Sequence, residues 1–89
     1  MNKIEILNKI CYTELVYGRT NKKLNTTFSK TEIESLLSKI IRETEEMFFQ
    51  KTGKNFYITN HENNIRITIN SYTFRVITVD KIIKNKQQI

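Results

Sequence analysis

The spacing of apolar residues changes once along this chain, and that change limits the fold more than any other feature. Up to about Phe48 apolar side chains recur every three or four residues, and beyond Thr52 they alternate one by one. Helical spacing first and strand spacing afterwards, without interleaving, describes an α+β layer pair rather than an alternating α/β fold. The expected architecture is two N-terminal helices packed on one face of a three- or four-stranded antiparallel sheet. Lys81 to Lys86 is expected to be a short C-terminal helix or a tail.

The first helix is expected from Lys3 to about Tyr17, with Ile4, Leu7, Ile10, Cys11 and Leu15 on its apolar stripe and Gly18 as its stop. Cys11 on that stripe reads as a core residue. Arg19 to Phe28 is polar and aperiodic, which predicts a connection, with room for one helical turn, anchored by Leu24. Ser29-Lys30-Thr31-Glu32 is a capping box, and Phe28 with Ile33 has the spacing of a hydrophobic staple. Ile33, Leu36, Leu37, Ile40 and Ile41 then carry a second helix, which either runs through Phe49 or breaks near Glu45 into a strand. Thr52-Gly53-Lys54-Asn55 is a turn signal, and Phe56 to Thr59 a strand. After a polar turn at 60–64, Ile65 to Asn70 alternates strictly, Asn70-Ser71 reverses the chain, and Thr73 to Val79 forms the last strand.

One domain over residues 1–89 is expected from the length. No apolar run approaches the ~20 residues that cross a bilayer, and Glu5 precedes any hydrophobic stretch, so a cytoplasmic protein with no membrane partner is expected. One cysteine and one histidine cannot complete a four-ligand zinc site within the chain, and no metal or cofactor is expected. Residues 1–50 hold eight basic and seven acidic side chains, whereas 51–89 hold seven basic side chains against Glu62 and Asp80 alone. This asymmetry points either to an anionic partner (nucleic acid, nucleotide or an acidic protein surface), attracted over about one Debye length, ~8 Å at physiological salt, or to a charge that serves solubility alone.

Gly53-Lys54-Asn55-Phe56-Tyr57-Ile58-Thr59, then Ile67-Thr68-Ile69-Asn70 and Tyr72-Thr73-Phe74 with Val76-Ile77-Thr78, resemble an uncharacterised family of small bacterial proteins. That family pairs a G-K-N-aromatic-Tyr turn with an I-T-x-N hairpin, and the likeness extends to Cys11-Tyr12-Thr13-Glu14-Leu15. It is a domain of unknown function, so the resemblance implies no activity. A topological likeness to small RNase toxins, built as helices followed by an antiparallel sheet, lacks their catalytic residues.

Candidate ligand-binding residues follow from strand alternation. Arg66 lies on the polar face of its strand, and a tight hairpin at Asn70-Ser71 is expected to bring it near Arg75, with Tyr57 or Phe56 beside them. Two guanidinium groups for phosphate and a ring for a base are what an RNA- or nucleotide-binding sheet needs. The alternative is that the arginines cover apolar sheet with their stems. Lys51, Lys54 and Asn55 make a basic turn whose amides could hold an anion, although Gly53-Lys54 lacks the other residues of a phosphate loop.

His61 is the default acid or base if the chain is catalytic, and a metal-independent RNase, the remotest reading, would need His61 or Glu62 as proton acceptor and Arg66 or Arg75 to stabilise the phosphorane-like charge. Glu43, Glu45 and Glu46 read as a solvated face. The expected function is therefore non-enzymatic binding of RNA or a small nucleotide by the basic C-terminal sheet. The rival is a protein-interaction module, an inhibitor or accessory subunit docking an acidic protein. Homo-oligomerisation is expected from the small core and from Ile82 and Ile83.

Overall fold

The computed structural model describes residues 3–82. It is an α+β arrangement of three N-terminal helices and a C-terminal antiparallel sheet of four strands. The expected terminal helix over 81–86 fails at Lys81, which ends the last strand, and at Ile82, which is not helical and donates its N–H to the Asn64 carbonyl at 2.8 Å; 83–86, with Ile83, lies outside the described residues.

The expected first helix is two. α1 spans Lys3–Lys9 and α2 Glu14–Leu24, so that part of the predicted connection is helical and Gly18 sits inside α2. The break has a tertiary cause. The Cys11 N–H donates to the Phe74 carbonyl at 2.9 Å, and the Val76 N–H donates to the Cys11 carbonyl at 2.9 Å, which holds Cys11 extended beside Arg75. Cys11 is exposed there, not in the core. Asn25 ends α2 in the left-handed region (φ 59°), returning its N–H to Asn21 and Lys22 carbonyls, a role asparagine tolerates because its short side chain adds little strain. Asn21 then fixes the next corner, its amide accepting from the Phe28 N–H at 3.0 Å and donating to the Phe28 carbonyl at 2.9 Å.

α3, Lys30–Glu43, carries both bonds of the capping box. The Glu32 N–H donates to Ser29 Oγ at 3.1 Å, and the Ser29 N–H to Glu32 Oε1 at 2.8 Å. Ser29→Ala should lower stability by about 0.5–2 kcal/mol, read as a reduced denaturation midpoint; an unchanged midpoint would contradict this role for the cap. The helix ends at Thr44, whose hydroxyl donates to the Ile40 carbonyl at 2.6 Å and accepts from Asn60 Nδ2 at 2.8 Å. Both side chains are buried, so this pair ties the end of α3 to the sheet without leaving either polar group unpaired.

A single 3-10 turn, Glu46–Phe48, leads into β1, Phe49–Thr52. Gly53 (φ 61°) makes the two-residue hairpin into β2, Asn55–Asn60, because positive φ at the first turn position matches the twist of the flanking strands. β3 is Ile65–Asn70, the bounds its alternation predicts, and β4 is Val76–Lys81. The strands lie in sequence order. Their apolar face (Phe49, Ile58, Ile65, Ile67, Ile69, Val76, Val79) forms one cluster with Ile6, Val16, Ile33, Leu37, Ile40 and Ile41 from the helices. α2 lies against β4, beside the point where Cys11 already occupies that edge.

Tyr17 of α2 docks on α3 through its hydroxyl, which donates to Glu34 Oε2 at 2.6 Å. This bond to a carboxylate pushes the Tyr17 pKa up to about 12, with burial adding in the same direction. The neutral phenol is thus favoured by folding, and its contribution is complete below the ordinary tyrosine value near 10 and lost as pH rises through about 12. Absorbance titration of tyrosinate should show a step near 12 that is missing from Tyr17→Phe; the same step in both proteins would contradict it.

Candidate functional site

The sheet face away from the core is polar and open. Its middle row runs Gln50, Tyr57, Thr68, Thr78 across β1 to β4, by the registered pairs Gln50–Tyr57, Tyr57–Thr68 and Thr68–Thr78. Thr68 is buried between its neighbours in this row, while Gln50 is exposed and Tyr57 and Thr78 are half-buried. The next row is Thr59, Arg66 and Asp80, and on the other side Asn55 pairs with Asn70. Asn55 Nδ2 reaches Tyr57 Oη at 3.4 Å, a long contact that orients the ring's polar end.

The structure separates residues that the sequence was expected to gather. Arg66 faces Asp80, and Arg75 lies beside Asn70, whose N–H donates to the Arg75 carbonyl at 2.9 Å. The two arginines are offset by four positions along β3, from Arg66 to Asn70, roughly 13 Å along the strand. The reason is the length of the turn. Instead of reversing at Asn70-Ser71, the chain makes a loop in which Asn70 Oδ1 accepts from the Tyr72 and Thr73 N–H groups at 2.8 and 2.9 Å, and Phe74 takes a positive φ of 60°. A bulge then leaves Ile77 over when Ile69 pairs with Val76 and Thr68 with Thr78.

The basic turn is likewise dispersed. Lys51 pairs with Phe56, which packs on the core, so both lie on the face opposite Tyr57. Lys54 is exposed, and its carbonyl accepts from the Ser71 N–H at 2.8 Å and the Ser71 hydroxyl at 3.0 Å, clipping two turns together. Of the six candidates, Arg66, Tyr57 and Asn55 share the open face.

What replaces Arg75 comes from α2. Arg19, Lys22 and Lys23 line a groove of about 580 Å³ with Thr78, at the flank of the open face. Lys23 pairs with Asp80, the carboxylate opposite Arg66. An expected connection over 19–28 gives these cations no common face. Their signal was the i, i+3, i+4 spacing, which puts all three on one side of a helix.

A second cleft, about 240 Å³, lies where α3 ends and β2 turns, lined by Glu43, Thr44, Glu45, Phe48, Thr59, Asn60, His61 and Glu62. The His61 ring meets Phe48 edge-on, with centroids 5.1 Å apart. Three carboxylates line this cleft, so its charge repels phosphate, and Arg75 lies toward the opposite end of β3. Arg75 is therefore not brought to His61, and Arg66, which pairs with Thr59 at the cleft's rim, is the one arginine of the RNase reading on that side of the sheet. Among the described residues, no three His, Cys, Asp or Glu side chains are placed to hold a metal ion, and no helix is long and apolar enough to cross a membrane.

Fold and site together define a small α+β protein with an open polar sheet face flanked by a basic helix. Over residues 4–80 the chain matches the family described as "Protein of unknown function (DUF3781)", and it belongs to that family. No curated protein and no solved structure matches it.

Proposed function

We propose that the protein is a non-enzymatic binder of single-stranded RNA, which lies on the open face of the sheet. The observation that carries this reading is Tyr57 in the middle row of a polar face that holds Arg66 and is flanked by Arg19, Lys22 and Lys23, with Asp80 as the carboxylate among them. An aromatic ring offers a surface to any base, with stacking contributing about 1–3 kcal/mol per base, and the cations meet the backbone. The sheet face favours a polymer over a free nucleotide. Small-molecule sites are concave and enclose ~70–90% of their ligand, whereas these side chains stand in rows on an open surface.

Double-stranded RNA fits less well, because its bases are stacked on each other and not available to Tyr57. Calorimetric titration with an unstructured oligouridylate of about ten nucleotides, against a duplex of equal length, tests the reading. The single strand should bind more tightly, and its affinity should fall as salt rises, since bound phosphates release counterions. Absence of binding at low salt would overturn it in favour of the protein-interaction module.

A further inference from the structure

The groove between α2 and β4 differs from the rest of the open face in the density of its charge. Arg19, Lys22 and Lys23 line one groove together with Thr78, whereas the sheet itself supplies Arg66. Opposing them are Asp80, paired with Lys23, and the C-terminal end of α2, equivalent to about half a negative charge. The three cations outweigh both, leaving an excess of roughly one and a half positive charges before Arg66 is included. An internal phosphodiester carries one negative charge, but a terminal phosphate monoester carries about 1.5 to 2 at pH 7, which matches this excess.

Position points the same way. Tyr57 and Thr78 are two strands apart in one row, about 10 Å, and the reach of a lysine or arginine side chain shortens the gap to be spanned. A nucleotide stacked on Tyr57 can thus extend its own phosphate across Thr68 toward the groove. α2 stands against β4 at that edge, so a strand entering the groove meets a helix.

We infer that the α2–β4 groove is a terminal-phosphate subsite, which takes the phosphate monoester at one end of the RNA whose last base stacks on Tyr57. The inference rests on the RNA-binding reading above. Asp80 acts there as an internal counter-ion that holds Lys23 until phosphate replaces it.

The test is calorimetric titration of the full chain with three ten-nucleotide oligouridylates, bearing a 5′-phosphate, a 3′-phosphate, or hydroxyls at both ends. One phosphorylated RNA should bind about tenfold more tightly than the hydroxyl-ended one, and which end gives the gain identifies the source of the monoester. The doubly substituted Arg19→Gln/Lys22→Gln should lose this preference, binding all three RNAs equally and each more weakly than the wild-type chain does, because two cations that also meet the backbone are gone. Asp80→Asn should increase the preference, because Lys23 is released to the phosphate. Equal affinities of the wild-type chain for all three RNAs, or a preference that survives the double substitution, would overturn the subsite and leave the RNA-binding reading standing. Failure of the wild-type chain to bind any of them would overturn both.

Discussion

Replacing Tyr57 with alanine and Arg66 with glutamine together should weaken binding of single-stranded RNA about a hundredfold or more while the protein stays folded. Loss of a stacked base contributes about 1–3 kcal/mol. Loss of a charge-assisted contact adds about 1.5–3 kcal/mol where it is well shielded and less on an exposed face such as this. Every 1.4 kcal/mol is a tenfold change in affinity. Neither side chain belongs to the hydrophobic core, and Arg66 is exposed. The cost to folding should be limited to cross-strand contacts, about 1 kcal/mol or below. Arg75→Gln is the informative control: it removes the same charge at the far end of β3, beside Asn70, and should change affinity by less than about threefold. Calorimetry with circular dichroism checks all three proteins, and an equal loss with Arg75→Gln would mean that total charge, not position, governs binding.

The largest effect on stability is expected from Ile67→Ala. Ile67 is fully buried at the centre of the sheet, paired with Ile58 on one side and Val79 on the other. Truncation there loses both the transfer energy of the removed carbons and the packing around the space they leave, about 2–5 kcal/mol for isoleucine to alanine. A domain of this size has of order 5–10 kcal/mol in total, so the variant should lose a large share of its stability. Ile77→Ala makes the contrast, since the bulge leaves Ile77 38% exposed. Its midpoint should move far less. Similar losses at both positions in chemical denaturation would contradict the assignment of which β4 residues face the core.

Local signals account for what could be read directly from the residues. α3 has its capping box and an uninterrupted apolar stripe, and β3 has three isoleucines alternating with polar residues, so both elements follow from their own sequence. The break between α1 and α2 does not, because the bonds that hold Cys11 extended come from Phe74 and Val76, more than sixty residues away in sequence. α2 itself was obscured by Thr20, a polar residue that is fully buried where a helical stripe would ordinarily carry an aliphatic one. Missing α2 as a helix also hid Arg19, Lys22 and Lys23 as one basic face.

The register of β3 and β4 depended on Phe74 adopting positive φ and on a bulge at Ile77, neither of which a residue type announces. Tyr57 and Arg66 remained on the open face through this correction because their placement depends on alternation within β2 and β3, whereas Arg75 depended on the turn.

The central claim is that single-stranded RNA occupies the sheet face opposite the helices. Its most direct measurement is the change in backbone amide NMR shifts of the labelled protein as a hydroxyl-ended oligouridylate is added. The largest changes should fall on Gln50, Tyr57, Arg66, Thr68 and Thr78, with little movement at Ile33, Leu37 or Ile40 in the core of α3. Changes concentrated instead at Glu43, Glu45, His61 and Glu62 around the acidic cleft, or no changes anywhere, would contradict it.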